Sequence, residues 1–178
     1  MPKTILYIAT TIDGYIARPD GNIDWLTSFP PPESGDYGYA ALLESIGTIV
    51  MGRRTYEDIL GFGIEWPYTG FTTYVVTHNK EYTASTPQTF IINEDAVGAL
   101  RSIKHTAEKD IWIVGGGALI QSLLNDRLID AMIISVVPKI IGDGIRLFPA
   151  PSEESQWRLT HTQSFNTGIA NLLYERQL

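Results

Sequence analysis

The sequence contains no cysteine, has fewer cationic than anionic side chains, and has no apolar run long enough to span a bilayer. Without cysteine, the chain can form neither a disulfide framework nor a reactive thiolate. The 13 Lys and Arg residues against 20 Asp and Glu residues give a net charge of −7, whereas nucleic-acid binding needs a basic surface. Its apolar runs stop well short of the ~20 residues that a membrane span requires. We therefore expect neither a nucleic-acid nor a membrane partner.

Two further absences bear on location and on metal binding. The N-terminal stretch MPKTILYIATT lacks the apolar segment of a signal peptide, which together with the lack of cysteine favours the cytoplasm. The three histidines show no spacing with Asp or Glu that is typical of a metal site, so we expect no metal.

Apolar runs alternate with amphipathic segments along most of the 178 residues. Patterns typical of strands occur at 4–10, 48–51, 72–77, 89–92 and 111–114, and helical patterns at 39–46, 55–60, 94–105 (with Asn93 as N-cap) and 118–126. Three more strand patterns follow at 131–138, 157–165 and 169–178, the last two joined by a turn at 166–168. The order predicts an α/β fold in one domain, residues 1–178, with a mostly parallel central sheet, helices on both faces and a C-terminal antiparallel hairpin.

The segment 13–38 fits neither pattern. It is rich in glycine and contains the triple proline Pro30 to Pro32. Such punctuation predicts either a long functional loop or a disordered one.

Three glycines follow the strand pattern IWIV and lead into a helix, in the stretch VGGGALIQSLL. Glycine lets the backbone approach a ligand, and the free N–H groups of a helix start favour an anion such as pyrophosphate. The alternative is a tight turn that packs the helix on the strand. The spacing is not the Rossmann fingerprint, because Ile120 occupies the position of its third glycine.

Two other strand ends carry polar side chains. In VMGRRT, Arg53 and Arg54 stand at a helix start, where acidic residues are usual, so the pair suggests a bound anion. In VVTHNK, Thr77 and His78 follow a strand directly. Alternatively, the arginines are a solvated pair and VVTHNK is a plain polar turn. All three turns follow parallel strands, so one long phosphorylated ligand could satisfy them, and NADPH fits better than NADH.

The stretches VMGRRTYE, VVTH, VGGGALIQSLL and GNIDW, in this sequence, resemble the dihydrofolate reductase superfamily. TIDGYIARPDGNIDWL and VVPKIIGDGIRLFP are similar to the branch that contains the C-terminal reductase domain of the bifunctional riboflavin-pathway enzyme and its stand-alone relatives. The resemblance runs from about residue 5 to 175 and implies a dihydrofolate reductase-like three-layer fold that binds NADPH.

The resemblance also implies residue roles. The cofactor residues it implies are Arg53, Arg54 and Thr55 at the phosphates, with Gly52 before them; Thr77 and His78 at the adenosine; Gly115, Gly116 and Gly117 near the pyrophosphate and nicotinamide, with Ala118 and Leu119 after them; and Ala9, Ile16 and Asn22 along the nicotinamide. Residues 21–25 would form a lid that closes over the cofactor and excludes water from hydride transfer.

Several positions depart from the family patterns. Dihydrofolate reductases place an acid a few residues after the lid tryptophan, where this chain has Pro30. Their tyrosine after the last glycine is Ile120 here, although Ser135 matches the hydroxyl residue that partners the missing acid. The riboflavin branch has a basic residue after its DG, where Tyr15 stands in this chain, and Arg18 compensates only in part.

Reduction of a pyrimidine or pterin needs a proton as well as a hydride, and a carboxyl group commonly supplies it. Asp13, Asp24 and Asp36 are the candidate catalytic acids. Each has a structural alternative: Asp13 shapes a turn with Gly14, Asp24 caps a short helix from Trp25, and Asp36 is a helix-start charge.

The candidate substrate-binding residues are Trp25, Tyr37 and Ser135. The aromatic rings of Trp25, Tyr37 and Tyr39 either stack on a planar substrate or belong to the core.

These observations leave three hypotheses. The first is an NADPH-dependent reductase of a small pyrimidine or pteridine, of the 5-amino-6-(5-phosphoribosylamino)uracil reductase type. The second is dihydrofolate reduction, which Pro30 and Ile120 disfavour. The third is a non-catalytic NADP-binding protein. The exposed sheet edges and the riboflavin branch favour a homodimer.

Overall fold

The computed structural model describes residues 1–177. Its strands are β1 (Thr4–Thr11), β2 (Tyr15–Ala17), β3 (Ile46–Gly52), β4 (Thr72–Val76), β5 (Thr89–Ile92), β6 (Asp110–Gly115), β7 (Ala131–Val137), β8 (Ile145–Arg146), β9 (Trp157–Ser164) and β10 (Ala170–Arg176). Its helices are α1 (Asp24–Thr27), α2 (Tyr39–Ser45), α3 (Arg53–Leu60), α4 (Ala96–Thr106) and α5 (Gly117–Asn125).

The central sheet has eight strands in the order β5-β4-β3-β6-β1-β7-β10-β9. The first six strands in this order are parallel to one another, while β10 is antiparallel to both β7 and β9. Strands β2 and β8 pair separately as a short antiparallel ribbon. The sheet confirms the predicted α/β fold with its C-terminal antiparallel hairpin.

Successive residues of the central strands pack on opposite faces of the sheet, because side chains alternate along a strand. On one face, Leu6 of β1 joins a core with Leu100 of α4 and Leu123 of α5. On the other face, its neighbour Ile5 joins a core that contains Leu42 of α2 and Tyr56 of α3. Helices therefore cover both faces, which gives the predicted three layers.

The segment 13–38 is not an unbroken loop. It contains β2 and α1, and Trp25 of α1 is fully buried in a third cluster with Val137 and Ile169. Elements of three and four residues are too short to show a periodic apolar pattern, so the sequence could not separate them from a loop. Their burial anchors the segment along the central sheet.

Two helix starts differ from the predictions. Helix α4 is capped by Asp95, whose carboxylate accepts from the Gly98 N–H at 2.9 Å, so the prediction of Asn93 as the cap was wrong. Helix α3 begins at Arg53 directly after β3, two residues earlier than its apolar pattern indicated. Of residues 1–177, none lie in a helix that is both long and apolar enough to cross a bilayer.

Candidate active site

A cleft of about 1620 Å³ opens at the carboxyl ends of the parallel strands. Strands β4, β3 and β6 are neighbours and run in the same direction, so the turns that follow them meet at one edge of the sheet. The glycines of β6–α5, the arginines of β3–α3 and the polar end of β4 all line this cleft. The predicted convergence of three turns is present in the fold.

The β3–α3 turn brings two exposed arginines to the cleft. Helix α3 starts without a side-chain cap, which leaves the N–H groups of its first turn free for an anion. The Arg53 guanidinium pairs with the Glu57 carboxylate at 3.1 Å, one turn along the helix. The Arg54 guanidinium donates to the backbone carbonyl of Asp20. Both cations therefore lie at the cleft with oxygen partners that a phosphate can replace or join.

The β6–α5 turn passes close to its neighbours. The peptide bond between Gly115 and Gly116 is cis, and Gly115 has a φ of +134°, a region that favours glycine. A Cβ on Gly117 would lie 3.0 Å from the Arg146 carbonyl oxygen, closer than ordinary contact. A Cβ on Gly116 would lie 3.7 Å from Thr55 Oγ1, so this turn adjoins the β3–α3 turn. Glycine is thus required here for close approach.

The end of β4 adds polar groups beside the arginines. Thr77 is buried, and its hydroxyl accepts from the Asn79 N–H at 3.1 Å. His78 and Asn79 are exposed on the wall of the cleft. The buried threonine therefore fixes a turn that presents these two side chains to the cleft.

Residues 20–24 form the fourth wall of the cleft and contact the arginine turn. Arg18 donates two hydrogen bonds to the Asp24 carboxylate, at 2.6 and 3.1 Å. The Asn22 side chain accepts from the Asp24 N–H at 2.7 Å. A Cβ on Gly21 would lie 2.8 Å from Arg54 Nη2, which shows how closely this segment rests on the guanidinium. We refer to residues 20–24 as the lid; they overlap the predicted lid, residues 21–25, but leave out Trp25, which is buried and does not line the cleft.

Every residue predicted to contact the cofactor lines this one cleft. They are Ala9, Ile16, Asn22, Gly52, Arg53, Arg54, Thr55, Thr77, His78, Gly115, Gly116, Gly117, Ala118 and Leu119. Their contact with a cofactor stays a prediction, but their assembly at one site is a property of the fold.

A family model of the RibD C-terminal domain matches residues 65–171, which is more than half of the chain. The chain belongs to the RibD C-terminal domain family. This membership confirms the resemblance to the riboflavin-reductase branch of the dihydrofolate reductase superfamily.

Individual relatives agree with this membership. The uncharacterized protein YwjB of Bacillus subtilis is 37% identical over 94% of both chains. A crystal structure from Shewanella sp. PV-4, provisionally named a riboflavin biosynthesis protein, has a TM-score of 0.85 and 29% identity over 99% of both chains. The dihydrofolate reductase of Enterococcus faecalis, solved with NADP(H), has a TM-score of 0.71 at 19% identity, covering 99% of this chain and 97% of that one. This last similarity concerns the fold alone.

In this RibD C-terminal domain, the three candidate acids have different environments. Asp13 does not line the cleft; its carboxylate accepts from the N–H groups of Ile141 and Gly142, at 3.2 and 2.8 Å. Hydrogen bonding from Thr11, the largest cause, lowers the pKa of Asp13, so it stays ionised. The Asp13 carboxylate therefore holds the backbone at 141–142 rather than the turn with Gly14 that was its structural alternative, and its catalytic role is not supported by the geometry.

Asp24 and Asp36 both line the cleft. The hydrogen bond from Arg18, the largest cause, lowers the pKa of Asp24, which makes that carboxyl a poor proton donor. Asp24 is the first residue of α1 and Ile23 is its N-cap, so Asp24 does not cap that helix. Asp36 accepts from the N–H groups of Gly38 at 3.1 Å and Ala40 at 2.6 Å at the start of α2. These bonds agree with its structural alternative, a helix-start charge, and the catalytic role of Asp36 stays a prediction.

Two of the three predicted substrate-binding residues line the cleft, and one does not. Trp25 is fully buried and does not line the cleft, so its ring belongs to the core and has no free face for a substrate. Tyr37 and Ser135 do line the cleft. The Tyr37 backbone has a left-handed φ of 61°, and its carbonyl accepts from Asn171 Nδ2 at 2.6 Å and from the Tyr7 hydroxyl at 3.3 Å. The Ser135 hydroxyl donates to Asn171 Oδ1 at 2.7 Å. Strand β10 thus holds the wall that carries Tyr37.

The sequence analysis named Tyr39 in the aromatic wall of the cleft but missed Tyr7, Tyr68 and Trp112. The rings of Tyr7, Tyr39 and Tyr68 each lie edge-on to the Trp112 ring. The distance between ring centroids is 5.5 Å for Tyr68–Trp112, 5.9 Å for Tyr39–Trp112 and 6.1 Å for Tyr7–Trp112. Burial, the largest cause, and the charge of Asp36 raise the pKa of Tyr7 to about 12. Tyr7 stands two residues before Ala9 on β1, and the period of two along a strand was the signal that could have found it.

Asp58 was also missed. It lines the cleft one helical turn after Arg54, a spacing that puts both side chains on one face of α3. Burial, the largest cause, raises the pKa of Asp58, while Arg54 opposes this shift.

Proposed function

We propose that this chain is an NADPH-dependent reductase that transfers a hydride to a small pyrimidine or pteridine. The family branch favours chemistry of the 5-amino-6-(5-phosphoribosylamino)uracil reductase type. The observation that carries the proposal is the meeting of three strand-end turns, with two arginines and a glycine turn, in one cleft beside an aromatic wall.

The residues of the cleft fit the cofactor. Arg53 and Arg54 are exposed at an uncapped helix start, and a guanidinium binds phosphate oxygens through two parallel hydrogen bonds. Helix α5 also starts without a side-chain cap, directly after the glycine turn, and suits the pyrophosphate. The extra phosphate on the adenosine ribose explains why two cations occupy a position where carboxylates are usual.

The bound cofactor supplies the hydride. The chain would contribute position and surroundings: Ala9, Ile16 and the lid residue Asn22 line the cleft and would hold the nicotinamide. Exclusion of water strengthens the remaining electrostatic contacts. The acceptor carbon would gain the hydride, and the neighbouring nitrogen or oxygen would gain a proton from an ordered water held by the Asp36 carboxylate.

The test is a steady-state assay that follows the loss of reduced cofactor with a panel of acceptors. The panel contains 5-amino-6-(5-phosphoribosylamino)uracil, its unphosphorylated form and dihydrofolate. Turnover of a pyrimidine above dihydrofolate supports the proposal. Saturable NADPH binding without turnover on any member would instead favour a non-catalytic NADP-binding protein.

We also propose that the protein is a homodimer. Strand β9 is the last strand of the sheet and is exposed over seven of its eight residues, so its backbone edge is available for pairing. Light scattering coupled to gel filtration measures the mass, and a mass equal to one 19.8 kDa chain at micromolar concentration would contradict the dimer.

A further inference from the structure

The part of the cleft beyond the cofactor turns has its own chemical character. We call it the acceptor region, and it is formed by Tyr7, Asp36, Tyr37, Tyr39, Tyr68 and Trp112. These residues are contiguous, since the Tyr and Trp rings contact one another and the Tyr7 hydroxyl donates to the Tyr37 carbonyl. Aromatic rings with hydroxyl groups suit a flat polar heterocycle.

Cations lining the cleft belong to the cofactor turns. Among residues 1–177, the Lys and Arg side chains that line it are Arg53 and Arg54, both on α3. Arg18, two residues before the lid, lies outside the lining and donates two hydrogen bonds to Asp24. Once the cofactor phosphates occupy the two arginines, the described part of the cleft has no cation left for a second phosphate.

Carboxylates, by contrast, are distributed through the cleft. The acidic residues of its lining are Asp20, Asp24, Asp36, Glu57 and Asp58. The field of Asp36 already acts on the acceptor region, because after burial it is the next cause that raises the pKa of Tyr7. The same field opposes any other negative charge brought next to Tyr7.

We propose that the acceptor is a planar heterocycle that carries no phosphate group. This inference rests on the proposed function and narrows it, since it selects the unphosphorylated members of the pyrimidine and pteridine class. Ring N–H and amino groups donate to the carboxylate of Asp36, and a flat ring packs against the aromatic side chains of Tyr39, Tyr68 and Trp112. A phosphate dianion would lose water there without gaining a cation in exchange.

The experiment compares two ligands that differ by one phosphate. Isothermal titration is carried out with protein saturated with NADP⁺, so that Arg53 and Arg54 are already occupied. The ligands are 5-amino-6-(5-phosphoribosylamino)uracil and the same compound after phosphatase treatment. We expect the unphosphorylated ligand to bind at least about tenfold more tightly, because the phosphate of the other ligand would lie next to the negative charge of Asp36. Equal or tighter binding of the phosphorylated ligand, or no binding of either, overturns the inference.

A charge-removing variant tests the cause. Asp36→Asn keeps an oxygen to cap α2 but removes the charge, and we expect it to reduce the preference for the unphosphorylated ligand by about threefold or more. Glu108→Gln removes the same charge from an exposed residue before β6, at the opposite edge of the sheet, and should leave the preference unchanged. An equal preference in both variants would show that Asp36 does not set it.

These outcomes are separate from those of the proposed function. Binding with NADP⁺ involves no hydride transfer, so a tenfold preference without any turnover of reduced cofactor contradicts only the reductase proposal. Turnover of the phosphorylated ligand at the higher kcat/KM contradicts only the phosphate-free acceptor.

Discussion

Replacing Arg54 by alanine should weaken NADPH binding far more than NADH binding. The two cofactors differ only in the phosphate on the adenosine ribose, and Arg54 is an exposed cation at an uncapped helix start in the cleft. A lost charge-assisted hydrogen bond costs about 1.5 to 3 kcal/mol, or about 10- to 150-fold in affinity. We therefore expect the ratio of the two dissociation constants to change by that factor.

The ratio matters because Arg54 has a second role in this structure. Its guanidinium donates to the Asp20 carbonyl and contacts the lid. Loss of that contact weakens the binding of both cofactors equally, so its effect cancels in the ratio of the two dissociation constants. The ratio then reports only the contact between Arg54 and the ribose phosphate. Fluorescence titration of reduced cofactor measures both constants under the same conditions.

The matched control is Arg101→Ala. Arg101 is an exposed helical arginine paired with Asp126 at 3.1 Å, and it does not line the cleft. It should leave both affinities unchanged. If Arg54→Ala weakens NADH and NADPH by the same factor, the phosphate is not at this guanidinium and the cofactor assignment loses its main support.

Three further predictions test the walls of the cleft. Gly117→Ala places a Cβ 3.0 Å from a carbonyl oxygen of β8, so it should lower stability by about 1 to 3 kcal/mol in urea unfolding, whereas Gly70→Ala, with no atom within 4 Å, should not. Asn171→Leu removes one buried and one partly buried hydrogen bond and should cost about 2 kcal/mol or more; an unchanged unfolding midpoint would contradict the anchoring role of this residue. Asp24 has a pKa below its usual 3.8, so its pairing with Arg18 is intact above that value and is lost as the pH falls through the lowered pKa. After correction for the slower intrinsic exchange at low pH, the protection factors of the lid amides should therefore fall as Asp24 becomes protonated, and Asp24→Asn should show the lower protection already at pH 7.

The sheet was predictable because its strands alternate apolar side chains between two helical layers. Leu6 and Ile5 show this directly, since neighbours on β1 enter different cores. The three turns were predictable only as a set, because each has an ordinary structural alternative but all three follow parallel strands, whose carboxyl ends share one edge of a sheet. Their meeting in one cleft follows from the parallel order of β4, β3 and β6.

The acceptor region was harder to predict, because its residues come together through tertiary contacts. Tyr7 and Trp112 lie on different strands that the sequence separates by more than a hundred residues, yet the indole N–H of Trp112 donates to the Tyr7 carbonyl at 3.2 Å. Trp25 looks like a lid residue in the sequence, but its short helix turns the ring into the core. Asp13 was likewise open to two interpretations until β7 and the following turn were in place.

Strand β10 enters the sheet beside β7 and sets Asn171 opposite Ser135. The same asparagine holds the carbonyl of Tyr37, so a wall built from the first quarter of the chain depends on a side chain from its last ten residues. During synthesis from the N-terminus, the glycine and arginine turns can therefore assemble before β10 exists, but the wall that carries Tyr37 cannot be fixed until β10 has joined β7. This wall of the cleft therefore forms later than the turns on the opposite side.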